Sequence, residues 1–334
     1  MSSLSIVPGK AVKNIIDNSR NTVIDLIQKT YLLHDSGQSV NPDSYFLRFP
    51  DKPNSRVIAL PSYLGGDVDR IGMKWIASFP DNVASSRPRA SAVLLINDYE
   101  TGYPLACVEA AGISAARTAA SAALAARELP QGANAVRVSF IGAGVIARTI
   151  SDYLVEALPK LSEVVVYDRD PGSADLLVEH ARQVHGLTAR RAESLAETFE
   201  PQLVVFATTA AAPYVPAETA FREDQLLLNI SLRDLPPELL LRSNNVLDDV
   251  EHCLKADTSP HLAERLSGGR EFINGTIGDV LRHEITLSPD RPTIFSPFGL
   301  GVLDLAVGNH VLEQARLDGS VIEIEDFVGE TSRW

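Results

Sequence analysis

The chain has 334 residues, of which 45% are hydrophobic and 22% charged, and it carries a net charge of −13. That length allows two domains of ordinary size, with enough apolar residues to build a core without a metal or disulfide staple. An acidic chain without a basic stripe is a poor partner for nucleic acid or an anionic membrane surface.

The first residues, MSSLSIVPGKAVKNIID, lack the basic and apolar succession of a secretion signal. From Lys10 to His34, Val12, Ile15, Ile16, Val23, Leu26, Ile27 and Leu32 recur at helical spacing, with a break expected near Asn18–Asn21. Between Tyr45 and Leu95 the pattern changes to short runs, SYFLRF, RVIALP, IGMKWIAS and ASAVLLI, parted by Pro, Gly, Asn and Asp. These predict an antiparallel β-rich region. A turn at Asp98–Gly102 leads to one more strand, YPLACVEA. Ala110 to Glu128 is an alanine-rich helix, small enough in section to pack closely on neighbours or ligand, and Pro130-Gln-Gly132 ends it.

Beyond that break strands and helices alternate: RVSFIGAG, VIARTISDYLVEAL, EVVVYD, SADLLVEHARQV, LVVFATT, LLLNISL and NNVLDDV. Alternation of this kind predicts an α/β fold with a doubly wound parallel sheet. Gly299 to Arg316 reads as a helix returning to the first region. No run approaches a membrane span. Cys107 and Cys253, the two cysteines, are too few for a disulfide framework and suit a reducing cytoplasm.

Ile141-Gly-Ala-Gly-Val-Ile-Ala147 fits G-x-G-x-x-A, follows the apolar strand VRVSF and opens a helix. Gly142 serves the tight turn, Gly144 the approach of a pyrophosphate, and Ala147 close packing of helix on strand. The helix N-terminus, from Ala143 through Val145 and Ile146, offers N–H groups to the phosphates. Asp168 ends the next strand twenty-one residues past Ala147, where an acid binds both ribose hydroxyls and repels a 2′-phosphate. NAD is therefore the expected cofactor, although Arg169 next to it is a possible partner for the phosphate of NADP. Thr208, in Ala207-Thr-Thr-Ala210 at a strand end, is a candidate for the nicotinamide ribose. His252 and His261 lack metal-ligand spacing, so no metal is expected.

Further segments are Gly72-Met-Lys74, Asn97–Gly102, Ile113–Ala120, Phe295-Ser-Pro-Phe-Gly299 and Asp304-Leu-Ala306. Together with IGAGVIA they resemble the ornithine cyclodeaminase/μ-crystallin family, from about Arg48 to Ala306. The resemblance implies a β-rich α+β domain for substrate binding and dimerisation at 1–130, completed by 305–334, beside an NAD-binding Rossmann domain at 131–304. It implies a homodimer and a small amino acid substrate. Carried over by position, Lys74 and Asp234 are the catalytic candidates and Arg48 and Arg117 bind substrate carboxylate. Guanidinium forks grip carboxylates bidentately, a desolvated lysine can exchange a proton with an amine, and an aspartate can activate water.

Two departures bear on the substrate. Where cyclodeaminases have N-G-H-P after the G-x-K strand, this chain has Ile76-Ala-Ser-Phe-Pro80-Asp-Asn82, and Asp234 is followed by Leu-Pro-Pro-Glu238 instead of Pro-Gly-Lys. The segments KWIASFPDN, SAARTAAS and LNISLRDLPPE resemble instead a subgroup from siderophore and antibiotic pathways. Its reaction is the oxidative cleavage of N-[(2S)-2-amino-2-carboxyethyl]-L-glutamate, a tricarboxylate, for which Arg89 is a further candidate cation. Alternatives are ornithine cyclisation, ketimine reduction, and nucleotide binding without turnover; joint retention of Lys74, Arg117 and Asp234 argues against the last.

Overall fold

The computed structural model describes residues 3–329. The chain forms two compact units, one running to Arg117 and resuming at Leu300, the other Thr118–Gly299. Pro130 follows the end of the helix Ala111–Glu128, whereas the division by compactness falls within that helix.

In the first unit eight strands form a mixed sheet. Its centre is an antiparallel run of Lys52–Leu64, Arg70–Ser78, Ala90–Asp98 and Pro104–Glu109, with Tyr45–Phe49 flanking the first of these. Leu4–Val7 adds in parallel beyond Pro104–Glu109. The helix Gly301–Leu317 packs on this sheet and is buried along most of its length, as a helix apolar on every side must be. Its close seat depends on Gly72. A Cβ there would lie 2.5 Å from the Leu95 carbonyl oxygen and 2.8 Å from Leu305 Cδ1. Helices Gly9–Asp17 and Arg20–Asp35 part at Asn18–Ser19, inside the expected break, and bury Val12, Val23, Ile24 and Ile27.

The second unit is a wholly parallel eight-stranded sheet. Arg137–Ile141 has Glu163–Tyr167 and then Thr188–Arg191 on one side. On the other side come Leu203–Phe206, Leu226–Asn229, Thr293–Ser296 and Asn244–Leu247. Strand order therefore reverses at Arg137–Ile141, and the carboxyl end of that strand is where open α/β sheets bind ligands. Runs such as Val164–Val166 and Leu203–Phe206 are buried throughout, the mark of strands covered on both faces.

The segment NNVLDDV is a strand only as far as Leu247. The Asp248 carboxylate accepts the N–H groups of Asp249, Phe298 and Gly299, which turns the chain into the short helix Val250–Cys253. Both cysteines are free. Among the described residues no helix is long and apolar enough to cross a membrane.

Candidate active site

In the second unit the glycine-rich turn lies at the carboxyl end of Arg137–Ile141 and leads into the helix Val145–Ala157. Gly142 has φ +92, and a Cβ there would meet the Ala207 carbonyl oxygen at 2.4 Å. Gly142→Ala is expected to cost about 1–3 kcal/mol, through positive φ and a backbone clash; a thermal melt showing an unchanged midpoint would refute this. Gly144 differs. It is exposed, and a Cβ on it would meet no protein atom within 4 Å, so the protein's own packing does not require glycine there. The N-cap Gly144 supplies no side-chain hydrogen bond to the helix, and Val145 beside it is exposed. An uncapped helix end with an open glycine is a cradle suited to a pyrophosphate.

Asp168 is half-buried at the next strand end. Its Oδ2 accepts the Ala143 N–H at 2.7 Å and its Oδ1 the Asp170 N–H at 2.9 Å, so the acid is tied to the turn itself. Arg169 is exposed, and Ala143 and Ile146 are partly buried.

Asp234, in the same unit, is fully buried. Thr208 Oγ1 donates to its Oδ1 at 2.6 Å and Ser231 Oγ donates to its Oδ2. The Tyr214 hydroxyl also hydrogen-bonds to it; burial, then the Asp234 charge, push that phenol well above its ordinary range. The Asp234 carbonyl accepts the N–H groups of Tyr214 and Val215, fixing the loop that carries the tyrosine. Thr208, expected to meet the cofactor, thus directs its hydroxyl to the aspartate. The three hydroxyls hold the carboxylate in one orientation without supplying a positive charge.

In the first unit Lys74 sits on Arg70–Ser78, 2% exposed. Its Nζ lies 2.6 Å from Asp304 Oδ2 and 3.2 Å from Ser114 Oγ. Burial lowers its pKa to about 8; Asp304 opposes that shift and Arg117 adds to it. Asp304, wholly buried in the helix Gly301–Leu317, also stands 3.5 Å from Arg117 Nε. The sequence reading quoted Asp304 but gave it no task.

Arg117 is the telling member. Its side chain is 14% exposed, its Nε is buried without a hydrogen-bond partner, and so is Asp304 Oδ1. Two cations and one anion leave a net charge of +1 in a largely dry place. A buried guanidinium with donors unspent costs stability unless an acceptor arrives, and a carboxylate matches its fork.

The remaining cations lie elsewhere on the same sheet. Arg89 Nε donates to Ser78 Oγ at 3.2 Å. Arg48 is exposed, with its guanidinium 5.3 Å over the Phe46 ring. Arg48 pairs with Arg56, and Arg56 with Ser78, so the three share a row across the sheet. Side chains directly opposite share a face, and Ser78 is four residues from Lys74 on one strand, so that row lies on the Lys74 side about 13 Å away. Arg56 escaped the sequence reading; only the strand register reveals it.

Comparison with known proteins follows the same lines. The profile described as the ornithine cyclodeaminase/mu-crystallin family matches residues 11–319. The N-((2S)-2-amino-2-carboxyethyl)-L-glutamate dehydrogenase of Staphylococcus aureus is 27% identical over 312 residues, covering 90% of this chain and 91% of that one. An archaeal alanine dehydrogenase dimer with bound NAD superposes with a TM-score of 0.85 at 26% identity, over 97% of this chain and 100% of that one. The Thermococcus litoralis Delta(1)-pyrroline-2-carboxylate reductase, in complex with NADH and L-proline, superposes with a TM-score of 0.88 at 23% identity, over 96% and 100%.

Proposed function

This chain belongs to the ornithine cyclodeaminase/μ-crystallin family, and on that premise we propose that it is an NAD-dependent dehydrogenase of N-[(2S)-2-amino-2-carboxyethyl]-L-glutamate. The products are L-2,3-diaminopropionate and 2-oxoglutarate, with NADH and a proton, as a step of siderophore or antibiotic synthesis. The dinucleotide, when bound, accepts hydride. Support for NAD comes from the open cradle at Gly144, the acid at Asp168, and the cofactors in the solved relatives.

The substrate reading rests above all on the distribution of cations on one face of the first unit's sheet. Arg117, whose Nε beside Asp304 has no hydrogen-bond partner, offers its guanidinium to the carboxylate of any amino acid. Arg89 donates to Ser78, Arg56 lies opposite Ser78 and Arg48 opposite Arg56, a further row of cations that alanine or proline would not use. A tricarboxylate uses both.

Roles follow from the chemistry of each group. Arg117 grips the glutamate α-carboxylate. Lys74, in its neutral form, takes the proton from the substrate's secondary amine as the glutamate α-carbon loses hydride. The resulting ketimine is attacked by water whose proton passes to Asp234. Lys74 returns its proton to the nitrogen as water adds, and Asp234 then protonates that nitrogen. As the C–N bond breaks, the carbinolamine hydroxyl proton passes to the departing amine of diaminopropionate, and the former α-carbon becomes the ketone of 2-oxoglutarate. A homodimer is part of the proposal. Tyr45, Trp75 and Val93, all exposed, lie in one row with Ala59 across the sheet, an apolar strip for a second copy to cover.

The test is absorbance at 340 nm with purified protein, NAD⁺ and the N-substituted glutamate, with ornithine, alanine and proline as controls. Stoichiometric NADH with both products is expected. NADH from alanine or proline instead, or proline and ammonia from ornithine, would replace the substrate while leaving the family intact.

A further inference from the structure

On the outer layer of the second unit, Asp152 projects from the helix Val145–Ala157, and His180 and His185 from the helix Pro171–His185. His180 Nε2 lies 2.6 Å and His185 Nε2 2.8 Å from the same atom, Asp152 Oδ1. The side chains are 21%, 9% and 16% exposed for His180, His185 and Asp152, and the two rings meet edge to face with centroids 5.1 Å apart. Nothing in the reaction above uses them.

We infer that Asp152, His180 and His185 form a site for a borderline divalent cation of the zinc class, pinning these two helices together. Two imidazole nitrogens and a carboxylate oxygen are the ligands such a cation takes, with one position left for water. All three donor atoms lie within 4.8 Å of one another. Zinc bonds of about 2.0–2.1 Å at tetrahedral angles put ligand atoms about 3.3 Å apart, so the triad must open by roughly 0.5–0.7 Å. Side-chain rotation about helix-borne residues supplies that.

The proton inventory agrees. A neutral imidazole has one N–H, and both rings here point Nε2 at the carboxylate, so each donates from that nitrogen. On metal binding each ring carries its proton on Nδ1 and turns the Nε2 lone pair to the cation, with both rings still neutral. The Asp152 carboxylate oxygen, shared by both rings, supplies the third ligand atom. Since zinc would bind the folded triad and find it scattered in the unfolded chain, binding stabilises the unit.

The protein is stripped with chelator and titrated with zinc chloride by calorimetry, and its melting midpoint is followed with and without zinc. One zinc per chain that raises the midpoint is expected in the wild type. In the double variant His180→Gln/His185→Gln, whose amides can still donate to Asp152, affinity should fall at least tenfold and the shift disappear. Should that variant fail to fold, the single His185→Gln change gives the same reading. Undiminished zinc affinity in whichever variant folds, or no zinc bound by the wild type, overturns the site.

Discussion

Asp234→Asn lowers turnover by about two to four orders of magnitude, the usual worth of a positioned base, while dinucleotide binding is nearly unchanged. The substitution is close to isosteric, and its surroundings can accept it. Thr208, Ser231 and Tyr214 present hydroxyls, which accept as well as donate, so an amide in this fully buried position keeps hydrogen-bond partners. What the amide loses is the negative charge and the lone pair that takes a proton from water. The defect therefore falls on hydrolysis of the ketimine and much less on its formation. A rapid first turnover of NADH followed by a slow steady state is expected, and stopped-flow absorbance resolves the two. Wild-type turnover in the variant would remove Asp234 from the chemistry. Loss of cofactor binding along with turnover would make it a support of the loop carrying Tyr214.

Legibility of the site in the sequence tracks the range over which each residue acts. The glycine-rich turn is local: strand, Gly142, Gly144 and helix succeed one another within a few residues, so spacing alone reveals the cradle. The alanine-rich helix and the apolar strand around Lys74 are legible too, because a lone charge among small or apolar residues requires a partner. The partner is not. Asp304 lies 230 residues from Lys74 and meets it only because Gly72 lets the helix Gly301–Leu317 approach the sheet. Its one local signal is an acid inside GVLDLAVG, where an unpaired carboxylate would be costly. Arg56 depends on register across three strands, Tyr214 on a loop folding back on Asp234, and Asp152 on a second helix opposite His180 and His185. The end of the strand at Leu247 was hidden for the same reason, since N–H groups from Phe298 and Gly299 make the Asp248 turn.

The pH dependence of kcat/KM isolates Lys74. With its pKa lowered to about 8, the neutral amine that accepts the substrate proton forms as pH rises, so oxidation should climb to a plateau above that value. Were the lysine instead the cation that holds a carboxylate, the profile would fall above the same pH. Lys74→Met, which fills the space without a titrating group, should cost about two to four orders of magnitude in kcat/KM. The substrate's own amine also titrates, and Asp304→Asn separates the two. The Asp304 carboxylate pulls the Lys74 pKa upward against burial and Arg117. Removing that charge lets the pKa fall further, and the enzyme's inflection must move to lower pH while the free substrate's stays where it is. An inflection that does not move in Asp304→Asn assigns the titration to the substrate and takes the proton from Lys74. A shift to higher pH would contradict the electrostatics of the buried pair itself.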